Sequence, residues 1–393
     1  MLEHGGRLGR AVREYGMPRE AWLDLSTGVS PHAWPVPPIP PAAWHRLPEA
    51  DDALVEAARA YYGARHVLPV AGSQAAIAAL PRLRPPSRVA VVEPGYAEHA
   101  HAWRQAGHDV VTLPMDALLA RAGEFDVVVL IRPNNPTGDC PDMETLLALH
   151  AGTVQARAIQ AGAVQARAIQ AGTVQARAIQ AGTVQARAIQ TGAVSVGAAS
   201  AAIPRQRASS PRAPIAAEAA PTEMAWLVVD EAFIDTRPEQ SLAPYVREGI
   251  IVLRSVGKFF GLAGARAGFV VASPGLLDAL AEALGPWTLT GPTRHVVAQA
   301  LSDRAWQASA RIRLREDSSR LAKLLTKHGL PPSGGCEFFH YCVHAEARAL
   351  QHALAGQAIL VRHFDNPQAL RFGLPGDDDA FARLDRTLAA VLA

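Results

Sequence analysis

Ser255-Val-Gly-Lys-Phe-Phe-Gly-Leu-Ala-Gly-Ala-Arg266 comes just after the apolar run Ile250-Ile-Val-Leu253. A lysine among small residues just beyond a strand can place its amine on the floor of a pocket. Arg266, further along the same run, is a fixed cation able to hold a phosphate. Upstream, Trp226-Leu-Val-Val-Asp230 ends a buried strand on a carboxylate. Amine, guanidinium and strand-end carboxylate are the three groups needed to hold pyridoxal 5'-phosphate (PLP): a Schiff base, an anion clamp and a partner for the pyridine nitrogen.

Outward from this stretch, short apolar runs alternate with helical ones, the pattern of a mainly parallel α/β sheet. The pattern predicts strands at Val67–Val70, Arg88–Glu93, Asp109–Leu113, Asp126–Ile131, Trp226–Val229, Ile250–Leu253 and Gly268–Ala272. It predicts helices over Asp51–Tyr62, Gln74–Leu83 and Glu98–Gln105. The Pro-rich stretch Pro31–Pro41 reads as an extended arm. From about Thr293 a long helix, a strand over Cys336–His344 and a short α/β tail are expected to make a smaller lobe. Ala151–Gln190 is a different matter: four near-identical copies of Ala-Gly-Thr-Val-Gln-Ala-Arg-Ala-Ile-Gln, then an Ala/Pro/Ser/Arg-rich stretch. As a helix, its Val/Ile stripe would turn by about 80° per copy, and a glycine interrupts each one. It reads as a disordered surface insertion, with a partner-binding segment as the alternative. The expected division is 1–48, N-terminal arm and part of a small domain; 49–150 and 223–292, the two parts of a large PLP-binding domain; 151–222, the insertion; and 293–393, the small C-terminal domain.

Bulk properties narrow the function classes. The 393 residues carry 38 Lys+Arg against 36 Asp+Glu, so no nucleic-acid-binding character follows. The cysteines Cys140, Cys336 and Cys342 form no disulfide framework and suit a reducing cytosol. The Met-Leu-Glu-His-Gly-Gly start lacks the features of an export signal, and no apolar run reaches membrane-spanning length. A soluble cytoplasmic protein is expected, without a membrane partner.

Other loops add candidate groups. Gly72-Ser73-Gln74 follows a strand and opens a helix, where free N–H groups favour an anion, although a plain capped helix start would look the same. Tyr96, in Glu93-Pro-Gly-Tyr96 at the end of the next strand, can stack on a flat ring or simply cover the core. Arg132-Pro-Asn-Asn-Pro-Thr-Gly138 is a stiff loop presenting Asn134 and Asn135, whose amides can bond a ring hydroxyl; an Asx-turn is the plainer reading. Arg362 and Arg371 suit carboxylate or phosphate recognition, with surface salt bridging as the competitor. His4-Gly5-Gly6 could cap a substrate anion or be a loose terminus. Strand alternation would put Cys336, His340, Cys342 and His344 on one face, but the spacing is not that of a zinc site, and no metal is expected.

Together these residues resemble the fold-type I PLP enzymes, in the branch with histidinol-phosphate aminotransferase and threonine-phosphate decarboxylase. The specific matches are Asn134-Asn-Pro-Thr-Gly138, Val229-Asp-Glu-Ala-Phe233, and Ser255-x-x-Lys258 with Arg266; the resemblance covers nearly the whole chain outside 151–222. The resemblance implies a seven-stranded, mainly parallel sheet plus a smaller α/β domain. It gives Lys258 the Schiff base and a later proton delivery, Asp230 the pyridine nitrogen, Arg266 the phosphate, Asn135 the ring oxygen, Tyr96 the stacking face and Arg371 the substrate carboxylate. Ser255, with Gly72, Ser73 and Gln74, joins the cofactor contacts, and His4, Gly5 and Arg362 the substrate contacts. Two departures from the aminotransferases stand out: Phe233 where they usually have Tyr, and Arg46-Leu-Pro-Glu49 where they have Arg-Tyr-Pro-Glu. Both, with Leu23-Asp-Leu-Ser-Thr-Gly28, look more like the threonine-phosphate decarboxylases of cobalamin biosynthesis. The expected activity is therefore decarboxylation of O-phospho-L-threonine, a phosphorylated amino acid, by a homodimer. Histidinol-phosphate transamination and a non-catalytic scaffold whose repeats bind a partner are the alternatives.

Overall fold

The computed structural model describes residues 5–49, 53–155 and 224–392. By contacts, residues 1–151 with 225–393 form one unit and 152–224 another. The expectations placed on His4 and on residues 156–222 lie outside the described residues. In chain order the first unit begins with α1 (Leu8–Tyr15), β1 (Leu23–Asp24), α2 (Ala42–His45) and α3 (Ala53–Tyr62). Then come β2 (Val67–Val70), α4 (Ser73–Ala79), β3 (Arg88–Val92), α5 (Glu98–Gln105), β4 (Asp109–Leu113), α6 (Met115–Ala120) and β5 (Val127–Ile131). A helix, α7, starts at residue 143. After residue 224 follow β6 (Trp226–Asp230), β7 (Ile250–Ser255), β8 (Gly268–Val271), α8 (Pro274–Leu284), α9 (Gly291–Ser302) and α10 (Arg304–Lys327). The chain finishes with β9 (Gly334–Cys336), β10 (Phe339–Val343), α11 (Ala347–Ala355), β11 (Ile359–Leu360), β12 (Arg362–Asp365), β13 (Gln368–Gly373) and α12 (Asp378–Val391).

Seven strands form one sheet in the order β2-β8-β7-β6-β5-β3-β4. All neighbours are parallel except β8, which runs antiparallel to both β2 and β7. Every residue of β5 and β6 is buried, because both faces of the sheet are covered. That is why these strands read as unbroken Val/Leu/Ile runs rather than alternating ones. Successive side chains still part company: Val128 and Leu130 join a core with Phe259, Phe260 and Phe269, whereas Val127 and Val129 join one with Ile77, Trp103 and Leu280.

Register sets the floor of the site. Asp230 pairs with Ile131 on one side and Leu253 on the other, while Gly268 pairs with both Ser255 and Val70. The carboxyl ends of β2, β3, β5, β6 and β7 thus open on one edge, where open α/β sheets bind ligands. Gly268 admits the chain of α4: a Cβ there would stand 2.5 Å from the Ser73 nitrogen.

The C-terminal part differs from expectation in two places. The single long helix from Thr293 is two helices, α9 and α10, because Asp303 leaves the helical region and accepts a hydrogen bond from the Trp306 N–H at 3.0 Å. Aspartate favours such an N-cap over a helix interior. The strand over Cys336–His344 is a hairpin of β9 and β10, with Cys336 opposite Phe339. At its turn, Glu337 bonds Thr236 Oγ1 at 2.9 Å and Arg237 Nε at 2.7 Å. The hairpin dissolves the common row of Cys336, His340, Cys342 and His344. β9 and β10 join β13 and β12 in a four-stranded antiparallel sheet ordered β12-β13-β10-β9. No helix among the described residues is long and apolar enough to cross a membrane.

Candidate active site

The loops at the carboxyl edge of the sheet surround a cavity of ≈ 140 Å³ lined by Gly72, Ser73, Gln74, Tyr96, Asn135, Asp230, Ser255, Lys258 and Arg266. Residues from five separate loops are brought together here. Gly72 sits at φ +73°, and a Cβ on it would stand 2.8 Å from Arg266 Nη2, so only glycine leaves the guanidinium its place. Arg266 itself adopts the left-handed conformation at φ +50°, an uncommon state for a side-chain-bearing residue that is often found at functional positions. No side chain caps α4, which leaves its first N–H groups to an anion.

Asp230 is buried beneath this cavity. Its Oδ1 accepts the Ala232 N–H at 3.1 Å and its Oδ2 accepts His99 Nε2–H at 3.0 Å. Tyr96 donates its hydroxyl to Gln74 Oε1 at 3.1 Å, and Gln74 Nε2 donates in turn to Glu98 at 3.3 Å. Burial, with Glu98 and Asp230 nearby, pushes the Tyr96 phenol up to about 12, so it remains a donor. Ser255 Oγ accepts the Gly257 N–H at 3.2 Å and stiffens the turn that carries Lys258. Burial first, then the Arg371 and Arg266 charges, draw the Lys258 ammonium down from 10.5 to about 8, against the opposing pull of Asp230. Its Nζ lies 5.3 Å from the centre of the Phe233 ring. That ring is wedged in place: a Cβ on Gly28 would stand 2.9 Å from it.

Lys258, Tyr96 and Asn135 also line a second cavity of ≈ 400 Å³, together with Gly5, Arg362 and Arg371. Arg362 and Arg371 are direct cross-strand partners of β12 and β13. Arg371 is buried; it donates to the Ser26 carbonyl at 2.6 Å and to Asn135 Oδ1, while its Nε finds no protein partner. Burial and the Arg362 charge lower its pKa to about 10, leaving it cationic at neutral pH. Two guanidinium groups set side by side in one hollow call for anionic groups to offset them. His4 lies outside the described residues.

Sequence reasoning missed His99 and Ser26. His99 follows Tyr96 by one helical turn, so Tyr-x-x-His at a strand-to-helix junction was the available signal; which carboxylate it meets depends on the sheet order. Ser26 acts through its carbonyl, which no residue type announces.

The family model "Aminotransferase class I and II" matches residues 43–159 and 215–384. A threonine-phosphate decarboxylase of Pseudomonas aeruginosa is 45% identical over 389 residues, covering 99% of this chain and 97% of that protein. One from a Sinorhizobium species is 36% identical, covering 100% and 98%. Among solved structures, a histidinol-phosphate aminotransferase from Sinorhizobium meliloti in complex with pyridoxal-5'-phosphate matches with TM-score 0.67 at 18% identity, over 100% of this chain and 95% of that one. An L-threonine-O-3-phosphate decarboxylase from Porphyromonas gingivalis matches with TM-score 0.64 at 16% identity, over 89% and 92%. These two structural likenesses speak for the fold. With the family model spanning most of its length and a full-length relative at 45% identity, the chain belongs to the class I and II aminotransferase family.

Proposed function

We propose that this chain uses PLP to decarboxylate O-phospho-L-threonine, releasing CO2 and (R)-1-aminopropan-2-yl phosphate for cobalamin (vitamin B12) biosynthesis. One observation carries the reading: Lys258 stands on the wall shared by two cavities, one holding Asp230 and Arg266, the other holding the opposed Arg362 and Arg371. The full-length relatives, both threonine-phosphate decarboxylases, support the same substrate.

The residues present fit PLP. The cradle over Gly72 leaves room for an anion beside Arg266, and amine, carboxylate and amide donors surround one cavity. Lys258 would hold the aldehyde carbon, Asp230 the ring nitrogen, Asn135 the ring oxygen, and Arg266 with Ser73 the phosphate, under Tyr96. When bound, PLP supplies an electron-withdrawing ring that accepts the electron pair left on Cα as CO2 departs.

The chain's own groups do the rest. Arg371 binds the substrate carboxylate, and Arg362 beside it meets the second anionic group. His99 and the Ala232 N–H fix the Asp230 carboxylate in one orientation. The bond between Cα and the carboxylate carbon breaks, and a proton from the Lys258 ammonium joins Cα. A pKa near 8 suits Lys258 to give up and regain that proton at neutral pH.

Trapping CO2 from phosphothreonine with the pure PLP-loaded protein tests this. Turnover is expected in wild type and none in Lys258→Ala. Absence of CO2, with 2-oxoglutarate-dependent consumption of histidinol phosphate instead, would overturn it. The working unit is a homodimer in the cytoplasm. Trp44, Leu47 and Trp287 support the dimer: all three are exposed, in segments that meet where Gly291 packs on the Ala43 carbonyl.

A further inference from the structure

Ser26 is bonded through its side chain and through its backbone, and the two sets of bonds lead to different walls of the substrate cavity. Its hydroxyl donates its one proton to Asp24 Oδ1 at 2.6 Å, and its N–H donates to the same oxygen at 2.9 Å. A hydroxyl so committed presents only lone pairs elsewhere, and the Gly6 N–H donates to it at 2.7 Å. The Ser26 carbonyl accepts from Arg371 Nη2. The preceding residue is pinned as well: the Leu25 N–H donates to the Leu360 carbonyl at 2.8 Å, and the Leu25 carbonyl accepts the Gly373 N–H at 2.7 Å. Ser26 is thus a fixed post, and Gly5–Gly6 is a strip tied to it.

The strip lies flat on that post. A Cβ on Gly5 would stand 2.2 Å from the Ser26 carbonyl oxygen, and Gly6 holds φ +75°, so both positions demand glycine. Downstream the strip runs into α1, which is anchored where Ala11 packs with Trp22 and Ala355. Two hollows meet at the strip: the substrate cavity of ≈ 400 Å³, and one of ≈ 180 Å³ between α1 and the stretch from α11 to β12. Gly5, Arg362 and Asp365 line both and form the partition between them. Arg362 and Asp365 stand on β12, whereas Gly5 keeps its place through the Ser26 hydroxyl.

We propose that Ser26 is a positioning residue that sets substrate length: by tying down Gly5–Gly6 it closes the substrate cavity at a fixed depth from Arg371. This rests on the reading that the substrate is a phosphorylated amino acid whose carboxylate binds Arg371. With the carboxylate held there, the rest of the ligand must fit between Arg371 and the partition. A longer ligand has to push the strip aside and break the Gly6 bond. One hydrogen bond of this kind is worth about fivefold in an equilibrium.

The test titrates the PLP-loaded enzyme calorimetrically with 3-phosphoglycerate and 6-phosphogluconate. Each carries one carboxylate and one phosphate, on a short and a long chain, and neither has an amine that could react. Wild type should prefer the shorter probe. Ser26→Ala should shrink that preference about fivefold, by binding the longer probe more tightly. Ser26→Thr, which keeps a hydroxyl, should retain the wild-type preference. Gly5→Ala pushes the strip away while leaving the Ser26 hydroxyl in place, so it should match Ser26→Ala; it decides alone should Ser26→Ala fail to fold. Hydrogen exchange read by mass spectrometry should be severalfold faster in the N-terminal peptide of Ser26→Ala than in that of wild type or Ser26→Thr. A preference unmoved in both Ser26→Ala and Gly5→Ala, or an N-terminal peptide that exchanges no faster, would overturn the role given to Ser26. Because neither probe is turned over, the two readings come apart. If phosphothreonine yields no CO2 while the preference still shrinks, the length limit stands and the decarboxylase reading falls. Release of CO2 with the preference unmoved has the opposite meaning.

Discussion

Three residues of the proposed site can each be tested singly. Lys258 is charged below a pH of about 8 and neutral above it, since its pKa is lowered by burial and by Arg371. Only the neutral amine attacks an aldehyde, so the rate at which the cofactor-free protein takes up PLP should rise about tenfold per pH unit up to pH 8 and then level off. A stopped-flow profile that keeps climbing to pH 10 would contradict this. Gly72 is held at φ +73° against Arg266. Gly72→Ala adds about 1–3 kcal/mol of backbone strain and displaces the guanidinium, so PLP affinity should fall at least tenfold, measured by equilibrium dialysis, with the far-UV spectrum intact. His99→Ala removes one of the two donors that orient Asp230. The expected loss of about 1–3 kcal/mol in PLP binding should be partly restored in His99→Gln, which keeps a donor; a purely structural role would not show that rescue.

At the level of elements, β6 shows how neighbouring carboxylates come to different ends. Asp230 and Glu231 are adjacent, and extended backbone sends their side chains to opposite sides. Asp230 faces the cavity, whereas Glu231, fully buried, accepts from Arg132 at 3.3 Å, Arg254 at 3.1 Å, Ser241 at 2.6 Å and the Leu242 N–H at 2.8 Å. Glu231→Ala leaves two buried guanidinium groups short of a counter-charge and should cost about 3–5 kcal/mol. A denaturant midpoint within error of wild type would refute that. The same element explains what the sequence discloses. β5 and β6 are legible because doubly covered strands must be apolar throughout, and Lys258, Asp230 and Asn135 because loops at strand ends carry the polar exceptions. Asp303 is legible as a helix N-cap, a position its residue type favours over a helix interior. The β9–β10 turn was not legible, since its cause is Glu337 meeting Arg237 and Thr236, residues far away in the chain. His99 belongs to the same class: its partner is a matter of tertiary structure.

For the whole molecule, β5 and β6 are parallel neighbours, Val127 beside Trp226, and a helix between them is all that a parallel crossover requires. We therefore expect the sheet to form without the decapeptide repeats. Joining residue 155 to residue 224 through a short Gly/Ser link should leave kcat within about twofold and the melting temperature within a few degrees. Loss of folding or turnover would show that the segment carries a necessary contact. A larger consequence follows from the single reversed strand. Because β8 returns antiparallel, with Gly268 locked opposite Ser255, Lys258 and Arg266 ride on one short connection pinned at both ends. The two groups proposed to grip the cofactor would thus act as the fixed jaw of a vice, whose gap is cut into the sheet itself. Arg362 and Arg371 stand on another sheet and form the jaw that can be re-machined. Of that outer jaw only Arg362 can be reshaped freely, because Arg371 bonds Asn135 in the inner cavity and draws down the Lys258 pKa.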